Sequence, residues 1–217
     1  MKIRQLLLPL GACLHVTLAG AQSAQPVQPV QPVQAAQLGP EALVRQITDD
    51  VMNAILKDKA LQAGDKEKAL ALAEEKILPH VDFRAMTQLA LGRNWAKATP
   101  AQQEQVVKGF RSMLIRTYSN AIGAYKGQKM QVKPTRMSPG DTDVTVRNSY
   151  LSPGRPAVQV DYRMEKQPDG WKIYDIVFDG VSLVATYRSE FAQQVRNGGI
   201  EGLIARLDRK NDDAAPK

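Results

Sequence analysis

The stretch Trp171–Phe191, WKIYDIVFDGVSLVATYRSEF, decides the fold. It opens as a strand that is apolar on both faces: Trp171, Ile173 and Val177 share one parity, and Tyr174, Ile176 and Phe178 share the other. Asp179-Gly180 breaks the run, and an apolar, helix-like segment carrying Tyr187 and Phe191 follows. A strand with two apolar faces requires cover on both sides. That cover is either polypeptide or an apolar ligand, and the choice between the two sets the function.

The residues just upstream alternate with period 2. In Ala157–Glu165, Val158, Val160, Tyr162 and Met164 alternate with Gln159, Asp161, Arg163 and Glu165, the pattern of a half-buried strand. Val144 and Val146 predict a second strand with Asn148 and Tyr150 on the same face, and Met130 and Val132 predict a third. Turn sequences separate them: Ser138-Pro139-Gly140-Asp141, Ser152-Pro153-Gly154 and Pro168-Asp169-Gly170. Links this short favour antiparallel neighbours.

Further upstream the period is 3.6. Pro40 suits a first helical turn, and Leu43, Val44, Ile47, Val51, Ile55 and Leu56 follow at helical spacing until Gly64. Asp65–Leu78 restarts the helix with Leu70, Ala71, Ala73 and Ile77 as a narrow apolar face, and Pro79 ends it. Asp82 is placed to cap a helix over Phe83–Leu91 that stops at Gly92. Thr99-Pro100-Ala101-Gln102 is a start signal for a long helix running to about Tyr125, with Val106, Phe110, Met113, Leu114, Tyr118, Ala121, Ile122 and Tyr125 as its stripe. Downstream of the deciding stretch, helix is expected through about Glu190–Arg196, a break at Asn197-Gly198-Gly199, and a last helix over Ile200–Arg209. Helices, then strands, then helices define an α+β fold: a twisted antiparallel sheet of about four strands wrapped by helices. Packed on the long stripe, such a sheet can curl into a half-barrel around an apolar pocket.

The N-terminus reads as an export signal over residues 1–21. Lys2 and Arg4 precede a mostly apolar Leu6–Leu18, too short to span a bilayer, and Ala19-Gly20-Ala21 is a cleavage site, with a cut after Ala24 nearly as good. Leu10-Gly11-Ala12-Cys13 loosely resembles a lipoprotein box, but the apolar run continues past it. Cys13 is the only cysteine, so the processed chain would hold no disulfide and no thiolate. Residues 22–38, with QPVQPVQPVQ, read as an extended spacer; residues 39–210 as one domain; residues 211–217 as a flexible tail. No later segment reaches transmembrane length. Removing residues 1–21 takes away two cations and no acid, so the net charge falls from +7 to +5. The remaining cations are scattered, and nucleic acid is not an expected partner.

Catalytic motifs are missing from this sequence. The processed chain has one histidine, His80, beside Pro79, which fits a helix-end residue. One histidine without cysteine makes no usual zinc set, and no P-loop, G-x-G-x-x-G, G-x-S-x-G or H-E-x-x-H is found. Ser182 follows a turn and is expected to start a helix or to hydrogen-bond within the turn. Among the acids in apolar context, Asp82 fits a cap, Asp179 a turn and Asp161 a polar strand face. Asp175 shares its parity with Trp171 and Ile173, so it is expected to be buried with a partner, an arginine such as Arg188.

Two blocks carry a family resemblance. One is Leu78-Pro79-His80-Val81-Asp82-Phe83, then Ala90-Leu91-Gly92-Arg93-Asn94-Trp95 and Ala98-Thr99-Pro100-Ala101-Gln102 leading to Phe110. The other is Trp171-Lys172-Ile173-Tyr174-Asp175-Ile176, then Asp179-Gly180-Val181-Ser182-Leu183-Val184 and Tyr187-Arg188-Ser189-Glu190-Phe191. Together, over about residues 40–210, they resemble the MlaC, or toluene-tolerance, family of periplasmic phospholipid-binding proteins. The Pro-Val-Gln spacer departs from that pattern.

The resemblance implies a non-enzymatic periplasmic carrier of glycerophospholipid. Its partners would be an outer-membrane Mla lipoprotein complex and an inner-membrane Mla ABC transporter complex, and its role the maintenance of outer-membrane lipid asymmetry. No cofactor is implied; bound phospholipid is cargo. The residues expected to contact it are Met86, Leu89, Phe110, Met113, Leu114, Tyr118 and Tyr125 from the helices. From the strands they are Val146, Val160, Tyr162, Met164 and Phe178, and beyond them Val181, Leu183 and Tyr187. The alternatives are a periplasmic adaptor or chaperone-like module with a filled core, and a hydrolase using Asp175 or Asp82 with His80.

Overall fold

The computed structural model describes residues 38–123 and 128–213. The expected export signal, the spacer up to residue 37, Tyr125 and residues 214–217 lie outside the described residues.

The helical half contains α1 (Pro40–Lys57), α2 (Lys59–Gln62), α3 (Lys66–Lys76), α4 (Phe83–Leu91) and α5 (Pro100–Gly123). Local hydrogen bonding explains these boundaries. Asp65 caps α3 by accepting from the Lys68 N–H at 3.1 Å, and Asp82 caps α4 by accepting from the Ala85 N–H at 2.8 Å. Thr99 and Gln102 form a reciprocal capping box at the start of α5, with bonds of 3.2 and 2.8 Å. One break was not anticipated. The helix expected to run to Gly64 stops at Lys57, because Asp58 turns extended and accepts from the Ala60 and Leu61 N–H groups, starting α2.

Strands β1 (Lys129–Val132), β2 (Asp143–Leu151), β3 (Val158–Gln167), β4 (Gly170–Phe178) and β5 (Val181–Ser182) form one antiparallel sheet in sequence order. The sheet therefore has five strands rather than about four. The fifth is two residues long. It exists because Asp179 and Gly180, at φ 45° and 85°, form a two-residue hairpin that pairs Val181 with Phe178. Helix α6 (Leu183–Asp213) follows at once, interrupted where Gly199 adopts φ 69° and ψ −170°. Glycine tolerates that conformation without steric cost.

The register corrects the reading of the deciding strand. Met164 faces Ile173 across the ladder, whereas Arg163 faces Asp175, so Tyr174 is an extra residue in a β-bulge. Side chains opposite one another on an antiparallel ladder share a face. Trp171, Ile173, Ile176 and Phe178 thus lie on one face with Met164, Tyr162 and Val160, while Asp175 and Val177 lie on the other. Strict alternation had put Asp175 with Trp171 and Ile173; the bulge separates them.

Asp175 is 1% exposed, and its partner is not Arg188, which instead donates from Nε to the Leu89 carbonyl at 2.9 Å. The carboxylate accepts from the Ser182 hydroxyl at 2.6 Å, the Val184 N–H at 3.1 Å and the Arg163 guanidinium at 3.4 Å. Ser182 Oγ in turn accepts from the Ala185 N–H at 3.0 Å. A buried anion therefore sits at the amino end of α6, where exposed N–H groups and the helix dipole favour it. This contact fastens the second face of β4 to the helical layer.

Three apolar clusters result. The first joins α4, α5 and α6 around Met86, Phe110, Met113, Leu114, Tyr187, Phe191 and Leu203. The second sets Leu43 and Val44 of α1 on Val144, Val146, Met164, Trp171 and Ile173 of the sheet. The third joins α1 to α2 and α3 through Ile55, Leu61, Ala69 and Leu72. Among the described residues no helix is long and apolar enough to cross a membrane.

Asp175→Ala should lower unfolding stability by about 2–4 kcal/mol, since it strands the Val184 N–H and removes the charge from a dry site. Urea unfolding of the variant checks this; a change below about 0.5 kcal/mol would mean that Asp175 does not fasten α6.

Candidate functional site

The three clusters do not merge. Between them lies a cavity of about 630 Å³. Each cluster supplies a wall: Met86 and Leu114 from the first, Val44 and Ile173 from the second, Ile55 from the third.

The sheet forms one side. Val158, Val160 and Tyr162 of β3 and Ile173, Ile176 and Phe178 of β4 line it, with Tyr150 of β2. The bulge is what lets Ile173 and Ile176 point to the same side. Opposite, α1 presents Val44, Ile47, Thr48, Val51, Met52 and Ile55, an uninterrupted 3,4 stripe. Thr48 does not spoil that stripe, because its hydroxyl is satisfied by donating to the Val44 carbonyl at 2.9 Å. Ile77, Leu78 and Val81 close the end between α3 and α4. They are held there because Val81 bridges to Ile173 and the Asp82 N–H donates to the Ile173 carbonyl at 2.9 Å, on the free edge of β4.

The exposed lining residues sit at one end. Tyr118 and Phe178 are each 36% exposed and stack with ring centroids 6.3 Å apart. Val158 lies beside Phe178, two residues from its partner Val160 in β3, and the β2–β3 turn brings Ser152, Arg155 and Pro156 to the same rim. Among the described residues Arg155 is the one charged side chain in the lining. The polar atoms of the wall are otherwise hydroxyls and amides. Tyr150 and Tyr162 hydrogen-bond each other at 3.1 Å, and burial pushes the Tyr162 phenol well above its usual range. Burial, then the neighbouring Tyr118 hydroxyl, also raises Tyr187.

Such a wall binds by exclusion of water. It arranges no carboxylate and no histidine around the space, so no acid–base pair is assembled there among the described residues. His80 lies outside the lining, with its pKa lowered by burial and then by the Lys172 cation. Asp175 is committed to α6 and Asp82 to α4. Among the described residues no group of three His, Cys, Asp or Glu could hold a metal ion.

Of the residues expected to contact a ligand, Met86, Leu114, Tyr118, Val160, Tyr162, Phe178 and Leu183 line the cavity. Phe110 and Tyr187 do not: they pack edge-to-face at 4.9 Å inside the first cluster, where Met113 is also buried. Val146 and Met164, both fully buried, belong to the second cluster rather than the wall. Leu89 and Val181 are exposed at 37% and 61% and are not part of the lining, although Val181 pairs with Phe178 at the rim. Tyr125 lies outside the described residues. The α1 stripe, Ile77, Leu78, Val81, Ile173 and Ile176 were missed. The periodicity of α1 was visible, but nothing in a stripe distinguishes facing a core from facing a hollow.

A family model described as MlaC protein matches residues 45–209. The chain belongs to the MlaC family. A relative from Haemophilus influenzae, named intermembrane phospholipid transport system binding protein MlaC, is 21% identical over 177 residues, covering 80% of this chain and 83% of that protein. The toluene tolerance protein ttg2D of Pseudomonas putida is 25% identical over 194 residues, covering 82% of this chain and 87% of that one. Among solved structures, the phospholipid-binding protein from Ralstonia solanacearum, in complex with a phospholipid, is 42% identical with a TM-score of 0.76; the match covers 82% of this chain and all of that chain.

A side chain bordering a hollow lacks partner atoms on one side, so its truncation should cost less than that of a packed neighbour. Ile176→Ala is expected to destabilise the guest-free protein by about 1 kcal/mol and Met164→Ala by about 3 kcal/mol. Chemical denaturation of both checks this, and equal losses would contradict an open space in front of Ile176.

Proposed function

We propose that this chain is a periplasmic phospholipid carrier. Residues 1–21 direct export and are removed, residues 22–38 act as a spacer, and the domain that follows takes up glycerophospholipid. It passes lipid between an outer-membrane Mla lipoprotein complex and an inner-membrane Mla ABC transporter complex, which sustains the lipid asymmetry of the outer membrane. The protein acts by holding and releasing cargo, without chemistry on it.

The observation that carries this reading is the cavity itself. Its apolar wall, opening at a rim that bears Arg155, fits acyl tails inside and an anionic headgroup at the surface. Its volume of about 630 Å³ is in the range of pockets that bury most of a guest's surface, about 300–1,000 Å³. The Ralstonia relative, solved with a phospholipid, adds support from a chain of the same fold.

The energetics suit a carrier. Each buried methylene is worth about 0.8 kcal/mol, so two tails with roughly thirty of them represent on the order of 25 kcal/mol of gross transfer energy. A lipid cannot leave a membrane for water at a useful rate against that cost. A dry pocket replaces the membrane interior, and its grip implies that release needs a membrane partner that opens the pocket or accepts the tails.

Organic extraction of the gently purified protein, followed by mass spectrometry, should find phospholipid in near-stoichiometric amount. Protein without lipid would favour the adaptor with an occupied interior. Leu114→Trp, which pushes an indole into the space, should cut loading several-fold with little loss of stability; unchanged loading would remove Leu114 from the site.

A further inference from the structure

One polar group in the wall is not accounted for by packing. Tyr150 and Tyr162 lie on the cavity face of the sheet, and their register partners are Val158 and Val146. The two rings therefore reach toward each other over the Asn148–Val160 pair, and their hydroxyls meet at 3.1 Å. Two hydroxyls carry two hydrogens, and their mutual bond uses one. Val158, Val160, Ile176 and Phe178 beside the pair offer no side-chain acceptor for the other hydrogen, and among the described residues no hydrogen bond joins the pair to Thr48, Tyr118, Gln128 or Ser152, the acceptors elsewhere in the lining.

Asn148 beneath the pair does not take it. Its amide donates to the carbonyls of Val146 and Val160 at 3.2 and 3.3 Å, while its buried Oδ1 receives no hydrogen bond. Burial keeps the Tyr162 phenol protonated, so the pair remains a donor across the physiological range. An unmade hydrogen bond in an apolar enclosure is costly, and a guest that brings an acceptor without a donor relieves that cost.

We propose that the Tyr150–Tyr162 pair donates a hydrogen bond to an ester carbonyl of the bound glycerophospholipid and so fixes the depth of its glycerol backbone. The inference rests on the carrier reading above. A diacyl lipid has its ester carbonyls at the junction of headgroup and tails. The pair has a matching position: Tyr150 is two residues from Ser152 of the rim, while the wall continues inward to Ile55 and Met86. Apolar contact alone would let a two-tailed guest slide along its axis; one directional bond sets its register.

The test compares two phosphatidylglycerols of equal chain length, one dihexadecanoyl with ester linkages and one dihexadecyl with ether linkages. Each displaces a fluorescent phospholipid from the purified protein. The native protein should prefer the diester about tenfold, the worth of one hydrogen bond in a dry site. Tyr150→Phe/Tyr162→Phe should bind both lipids with the affinity that the native protein shows for the diether. Equal affinities in the native protein, or an unchanged ratio in the double variant, would overturn the inference while leaving the carrier reading intact. Uptake of neither lipid by the native protein would overturn both. Infrared spectra of native protein loaded with carbonyl-¹³C diester need no variant. A carbonyl band shifted to lower frequency than in hydrocarbon solvent is expected, and an unshifted band rules the bond out.

Discussion

An apolar surface on the inner face of the sheet is left uncovered by polypeptide, and the rest of the structure is organised around that fact. The space opens at its rim, so water can enter it, but a wall this poor in polar groups gives water few hydrogen-bond partners and favours an apolar guest. Either the walls collapse, or something other than the chain's own side chains occupies the space. The walls are built to resist collapse, because each belongs to a separate, well-packed cluster that has its own reasons to stay in position.

Strand β4 is the point where this construction is decided. Its bulge at Tyr174 turns Ile173 and Ile176 to the hollow and leaves Asp175 on the far side. There the carboxylate clamps the first turn of α6, and α6 completes the aromatic cluster of Phe110, Tyr187 and Phe191. The Asp179-Gly180 hairpin makes the reversal short enough for Ser182 to reach back to Asp175. One strand thereby serves both layers: a packed one that gives rigidity and an open one that gives room for a guest.

Much of this was legible in the chain because much of it is local. The caps at Asp82 and Thr99, the Asp179-Gly180 turn, the glycine break in the last helix and the alternation of β3 each depend on a few adjacent residues. The bulge was not legible, because it is a mismatch between β3 and β4 that neither strand reveals alone. For the same reason the partner of Asp175 was misread, since Arg163 and Ser182 reach it only once the register is set. Phe110 and Tyr187 look like cavity residues by composition, yet they pack on one another. The α1 stripe looks like core, yet it borders the hollow. Hydrophobic periodicity reports which side avoids water, and a packed core and a lipid pocket avoid it equally.

Membership of the MlaC family and the likeness to a chain solved with a phospholipid give the hollow a chemically sensible occupant. The most direct test is to see that occupant in place. Crystals of the protein loaded with a phospholipid brominated along its tails would give anomalous scattering from the bromines. The account predicts bromine peaks in the space bounded by Ile55, Met86, Leu114 and Ile176, with the walls where they stand here. Peaks confined to the outer surface, with those side chains closed upon one another, would contradict it.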